Sequence, residues 1–276
     1  MKHLLSILSF LFYLHVVAQN EKLQASIKEN LFNASHFSFT IIPYVVEKAS
    51  ICYKSGPYTL GSSAMEGIEA GANYHFNFND KYSIIIGLHG GAAARNFELS
   101  IPKEDFNPPL QNDVEQTGAM TRIFDMYLSA PVWFERRWRH KQKNFWNLIA
   151  GANIRFYPDE FTEIYSTASM DINGQYVRVV ELNLEVGRAF KPWLNYNFGG
   201  GYSYFLKNNN FFRLNFLVNL SNTSIANGIY TINVTGKEPS TGTYKSKLSY
   251  VGLSLNYIFT GTNKRLFRQF KKEQGL

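Results

Sequence analysis

Residues 250–259 read YVGLSLNYIF, with Val251, Leu253, Leu255, Tyr257 and Phe259 on one parity and Gly252, Ser254 and Asn256 on the other. An extended strand sends successive side chains to opposite faces, so this alternation predicts a strand with one oily and one small, polar face. Apolar residues at i and i+2, without i+3 and i+4, make no helical face. The pattern recurs about ten times, and repeated alternation of this kind, with aromatics at segment ends, predicts an antiparallel up-and-down transmembrane β-barrel.

The predicted strands are residues 36–47, 67–78, 82–97, 122–134, 146–156, 175–190, 194–206, 211–221, 229–234 and 247–259. In the second, Ile68, Ala70, Ala72, Tyr74, Phe76 and Phe78 oppose Glu69, Gly71, Asn73, His75 and Asn77. In the eighth, Phe212, Leu214, Phe216, Val218 and Leu220 oppose Arg213, Asn215 and Asn219. Pro43 is awkward inside the first, since it has no N–H to donate. The ninth is weak. A barrel of about ten strands is expected, with eight as the alternative and two weaker segments outside it. The soluble alternative is a β-sandwich or lipocalin-like barrel. Its polar faces would meet water, whereas these carry Gly and Asn, which suit a crowded interior.

The N-terminus, MKHLLSILSFLFYLHVVAQ, has a basic start, an apolar stretch, and Val16 and Ala18 before a cut at Gln19. It reads as a secretory signal peptide over 1–18. The apolar run is short for a membrane anchor helix, and no Cys stands at the cut for a lipid anchor. The barrel domain is then 19–262. A tail over 263–276 holds Lys264, Arg265, Arg268, Lys271 and Lys272 and much of the net charge of +7. It reads either as a basic amphipathic stretch on an anionic lipid surface or as a solvated end. With Cys52 the single cysteine, no internal disulfide and no Cys-rich metal site can form. No cofactor is expected, and no nucleic acid, which an exported barrel would not meet.

Connection lengths give direction. Short turns follow the second and sixth predicted strands and a moderate, basic one (136–143) follows the fourth, while long connections cover 49–65, 99–121 and 159–174. Outer-membrane barrels keep short turns on the periplasmic side. This places the chain in a bacterial outer membrane with both termini periplasmic.

Tyr127-Leu128-Ser129-Ala130-Pro131, Gly151-Ala152-Asn153 and Val251-Gly252-Leu253 leading into Asn256-Tyr257-Ile258-Phe259 carry a resemblance over nearly the whole chain. The sequence resembles the small outer-membrane β-barrel proteins of the PorT-like, porin-family type. The resemblance implies a small barrel in outer-membrane lipid, no assigned activity for most members, and envelope or secretion-machinery proteins as partners. One departure is that residues 260–276 follow Phe259, where many such barrels end on a terminal aromatic.

Charged and titratable residues on the inward parity are Glu69, His75, His89, Asp125, Arg155, Glu181, Glu185 and Arg213. They read as a lumen-lining polar network, because charges in a narrow lumen are costly unless paired. A narrow channel is the alternative. A membrane-embedded hydrolase would need a His with a Ser or Asp partner, for which His36 and Ser38, at i and i+2, are the candidates. A turn centred on Asp80 sets His75 opposite residue 85 and His89 opposite 71, too far apart for a metal pair. Glu181 and Glu185 lie about 13 Å apart by strand rise, too far for a carboxylate pair. The expected role is structural, binding or envelope assembly, without catalysis.

Overall fold

The computed structural model of the chain describes residues 36–79, 81–116, 122–140, 144–157, 160–172, 174–188, 192–206 and 210–259. The signal peptide over 1–18 and the basic tail over 263–276 lie outside the described residues.

Eight strands close a ring: β1 (Phe37–Val46), β4 (Met65–Asn77), β5 (Tyr82–Ile101), β7 (Arg122–His140), β8 (Asn144–Phe156), β11 (Pro192–Phe205), β12 (Phe211–Ser221) and β15 (Tyr250–Phe259). Every neighbouring pair is antiparallel, and β15 returns to β1 with Phe37 opposite Phe259. The eight-stranded alternative is thus the one realised.

The two predicted strands outside the ring are 175–190 and 229–234. They belong to a second, five-stranded sheet in the order β2 (Ser50–Ser55), β14 (Ser240–Ser246), β13 (Ala226–Val234), β10 (Gln175–Arg188) and β9 (Glu160–Ile172). Its strands come from three long connections, 47–64, 157–191 and 222–249, so the predicted loop 159–174 is largely β9. The strand ends from which these connections leave lie at one end of the barrel, and the ends Asn77 and Tyr82, His140 and Asn144, and Phe205 and Phe211 lie at the other. The strand before residue 190, β10, belongs to the second sheet and the strand after it to the barrel, so the predicted short turn after the sixth strand does not join two barrel strands.

The barrel's polarity is reversed relative to a protein folded in water. Along β1, Phe37, Phe39, Ile41 and Val45 are exposed while Ser38, Thr40, Ile42, Tyr44 and Val46 are buried. The same holds around the ring, where Leu88 is 64%, Met126 71% and Leu148 55% exposed. A contiguous apolar exterior of this extent needs an apolar neighbour. Pro43 stands outward in β1, and the pairing of β1 with β15 runs to Ile41↔Leu255 and resumes at Tyr44↔Gly252, leaving the missing donor in a gap of the ladder.

β5 shows where the environment changes. Its even positions run from Ile84, Ile86 and Leu88 to Asn96, Glu98 and Ser100, while its odd positions run from Ser83 and His89 to Phe97, Leu99 and Ile101. Strand and parity continue, yet the oily face moves from outside to inside. Above the barrel, β5 also pairs with β3 (Gly61–Ser63) and β6 (Val114–Gln116). This layer packs against the second sheet, with Phe97, Leu99 and Ile101 in one buried cluster with Leu182, Leu184, Tyr230, Ile232 and Tyr244. The rings of Phe97 and Tyr244 lie 4.9 Å apart. The main apolar core includes a two-layered β-structure at the long-connection end, and the barrel interior beneath it sets charged and amide side chains among buried apolar ones such as Ile85, Trp133, Ile149 and Leu217.

Candidate functional site: the polar lumen and the outer sheet

Strand parity aims the inward residues, and register decides which of them meet. Glu69 on β4 stands opposite Gly91 on β5, and Gly91 opposite Tyr127 on β7. A Cβ on Gly91 would fall 2.2 Å from the Tyr127 ring, and one on Gly67 would fall 2.1 Å from that of Tyr44. The small inward residues are the space into which these two rings lie.

Glu69 is the hub of the upper lumen. One carboxylate oxygen accepts from Tyr127 Oη at 2.9 Å and pairs with Arg155 Nη2 at 3.0 Å; the other lies 2.8 Å from His89 Nδ1. His89 Nε2 is 2.8 Å from Asn73 Oδ1, so both ring nitrogens face oxygen atoms. The Arg155 guanidinium lies 4.6 Å from the ring centre of Tyr127 and 5.1 Å from that of Tyr250. The Tyr44 and Tyr127 hydroxyls are 2.8 Å apart. Nearby, Arg95 grips Asp125 with two nitrogens, Nη2 to Oδ1 at 2.8 Å.

A second charged group lies toward the short turns. Glu135 accepts from Ser83 Oγ at 2.8 Å, pairs with Arg213 Nη2 at 2.7 Å, and has Arg137 Nη1 at 4.0 Å. Arg137 also donates to Asn77 Oδ1 and to the carbonyls of Asn79 and Tyr82, tying the strand wall to the turn. Between the two groups run amide and hydroxyl contacts: Asn73 to Thr40, Thr40 to Asn256, Asn147 to Asn215, and Trp133 Nε1 to Asn153. Carboxylates, guanidinium groups and amides thus brace the lumen from wall to wall, as buried charges require.

Of the residues singled out from the sequence, Glu69, His75, His89, Asp125, Arg155 and Arg213 are buried in the lumen. Glu69, His89 and Arg155 meet directly. Arg213 belongs to the lower group, and His75 binds Ser38 Oγ through Nε2 at 2.8 Å. His75 stands opposite Ile85 and His89 opposite Gly71. Glu181 and Glu185 are corrected: they are on β10, outside the barrel, on the solvent face of the second sheet. Their alternation with Leu182 and Leu184 is real, but the oily face covers a water-excluded core rather than lipid, and parity alone reads the same for both.

Ser38 takes its histidine partner from β4, not from His36, whose Nδ1 donates to the His75 carbonyl at 3.0 Å. Both members of the Ser38–His75 pair are buried inside the barrel. Sequence reasoning missed Arg95, Glu135 and Arg137 as members of the network. Arg95 shares the parity of His89, and Glu135 and Arg137 that of Asp125. Continuing the alternation through the basic stretch 136–140, instead of reading it as a turn, would have found the last two.

The outer sheet's solvent face carries Glu163, Glu181, Glu185, Asn183 and Asn233 with Tyr165. Arg178 Nη1 donates to Glu181 Oε1 at 2.7 Å and to Tyr165 Oη at 2.9 Å. The hydrogen bond from Arg178 holds the Glu181 carboxyl below the usual carboxylate range.

Closure, reversed polarity and a braced polar interior define the class: a small membrane-type β-barrel with a folded layer at one end. Compared with known proteins, the sequence matches no family model and no curated protein sequence. Among solved structures, the chain is similar to the outer membrane protein OprG from Pseudomonas aeruginosa. That match has 12% identity and a TM-score of 0.41, over 82% of this chain and 97% of OprG. It is also similar to the β-domain of the Bordetella autotransporter BrkA, at 10% identity and TM-score 0.31 over 82% and 99%. For the Pseudomonas putida toluene transporter TodX the values are 9% and 0.24 over 85% and 91%.

Proposed function

We propose that this chain is an integral bacterial outer-membrane barrel of the PorT-like type, with both termini periplasmic, that presents its outer β-layer to an envelope partner. The observation that carries the reading is the five-stranded sheet. Three separate connections assemble it around a common core, although ordering backbone costs about 1–2 kcal/mol per residue. A surface ordered in advance loses less freedom on binding. The short turns at the opposite end favour the stated orientation. Two of the segments that carry the family resemblance meet in the wall, with Pro131 on β7 opposite Asn153 on β8.

In-cell cross-linking of wild type, followed by purification from the outer membrane, is expected to recover one stoichiometric envelope protein. Glu163→Lys with Glu185→Lys reverses charge on the sheet's solvent face without touching its core, and is expected to lose that protein while the barrel remains folded. Recovery of the barrel alone, with cross-linking controls working, overturns the reading.

A narrow passage is the second reading, favoured by the polar inward residues Ser83, Asn73, His89 and Asp125, which alternate along the lumen with apolar ones such as Ile85 and Ile149. Bilayer recordings test it. Discrete conductance whose ion preference shifts in Arg213→Gln carries it, and silence removes it. Ser38 and His75 are buried within the braced interior, and the proposed role involves no catalysis.

A further inference from the structure

The outward face of the barrel near the short turns carries one feature that a plain hydrocarbon belt does not need. Along β7, Phe134, Arg136 and Trp138 all point outward and are exposed. Register sets Arg136 opposite Tyr82 on β5 and opposite Leu148 on β8. Its guanidinium carbon lies 4.9 Å from the Trp138 ring centre and 5.9 Å from that of Tyr82. Tyr82 in turn stacks on Phe134 with ring centres 5.7 Å apart. A cation is thus held by aromatic faces on a surface otherwise built for acyl chains.

A guanidinium on the lipid face is costly at mid-membrane and tolerated near the headgroups. Tyr and Trp mark the headgroup level. The aromatic contacts fix the height of Arg136 but satisfy few of its five N–H donors, which suit phosphate oxygens. Leu148 across from Arg136, and Phe134 on the side away from the short turns, continue the apolar strip along which an acyl chain can lie. Charge adds to the match: Lys81 is exposed at the adjoining turn.

We infer that Arg136, flanked by Tyr82 and Trp138, binds the headgroup phosphate of an anionic phospholipid in the leaflet facing the short turns, with the acyl chains over Phe134 and Leu148. The inference rests on the membrane reading proposed above and adds a lipid preference to it.

The test uses the full chain reconstituted in phosphatidylcholine vesicles containing a small share of brominated lipid, either phosphatidylglycerol or phosphatidylcholine. Bromine quenches nearby tryptophan, and Trp138 and Trp146 report at this rim. Wild type is expected to be quenched more strongly by brominated phosphatidylglycerol. The expected enrichment is about fivefold, the size for one cation against an anionic surface. Arg136→Gln is expected to abolish the preference while remaining inserted, and Arg136→Lys to retain part of it. Insertion with equal quenching by both lipids, or a preference that survives in Arg136→Gln, overturns the site alone. Absence of quenching by either lipid overturns the membrane reading and the site with it.

Discussion

Replacing Glu69 with alanine is expected to destabilise the barrel by about 3–5 kcal/mol, the range for removing one partner of a buried ion pair. The carboxylate is fully buried and serves Arg155, Tyr127 and His89 at 2.8–3.0 Å. Its removal deprives the buried Arg155 guanidinium of its carboxylate and the Tyr127 hydroxyl of the acceptor it donates to, with the Tyr44 hydroxyl still 2.8 Å from Tyr127. The loss arises from groups left unpaired more than from the bonds themselves. Replacing both Glu69 and Arg155 with apolar residues of similar volume should therefore cost less than the sum of the single changes. Urea unfolding in lipid vesicles, followed by tryptophan fluorescence and by resistance to SDS, measures both. A loss under about 1 kcal/mol for Glu69→Ala would mean that water replaces the carboxylate readily and that the lumen is not braced.

Leu88→Arg is expected to cost about 2–4 kcal/mol in a bilayer and to slow insertion, as for an arginine near the middle of a lipid-facing wall. Leu88 is on the outward parity of β5, 64% exposed, opposite Ala72. In a barrel surrounded by water the same change would stay within about 0.5 kcal/mol, as for an ordinary exposed site. Ser100→Arg supplies the control. Ser100 lies on the same strand and the same parity, but beyond the point where β5 exchanges its faces. It is expected to be close to neutral in either medium. Folding yields into vesicles, together with the urea midpoints of the two variants, separate the cases. Equal effects at positions 88 and 100 would place both in the same solvent and remove the membrane from the account.

Much of this architecture is written in local pattern. Alternation is a property of consecutive residues, so the strands of β1, β4, β5, β8, β12 and β15 and the direction of their side chains were open to direct reading. The inward placement of Glu69, His75, His89, Asp125, Arg155 and Arg213 followed from parity alone. So did the hairpin register that keeps His75 and His89 apart, since the turn at 78–81 is short enough to leave one pairing.

Other features depend on what a face packs against. Leu182 and Leu184 alternate with Glu181 and Glu185 as a lipid-facing strand would, yet they cover the core formed with Phe97 and Tyr230. Period 2 distinguishes a buried face from a polar one but not hydrocarbon from protein interior, so membership of barrel or outer sheet was decided by tertiary pairing. The pairing of Ser38 with His75, of Arg155 with Glu69 across 86 positions, and of Arg213 with Glu135 likewise depends on ring closure and strand stagger. The sequence by itself determined the strands, their faces and the polar character of the interior, because those follow from backbone geometry residue by residue. Only the tertiary structure decided that eight strands close, that three connections leave the ring to build a second sheet, and which buried charges meet, because those depend on contacts between segments distant along the chain.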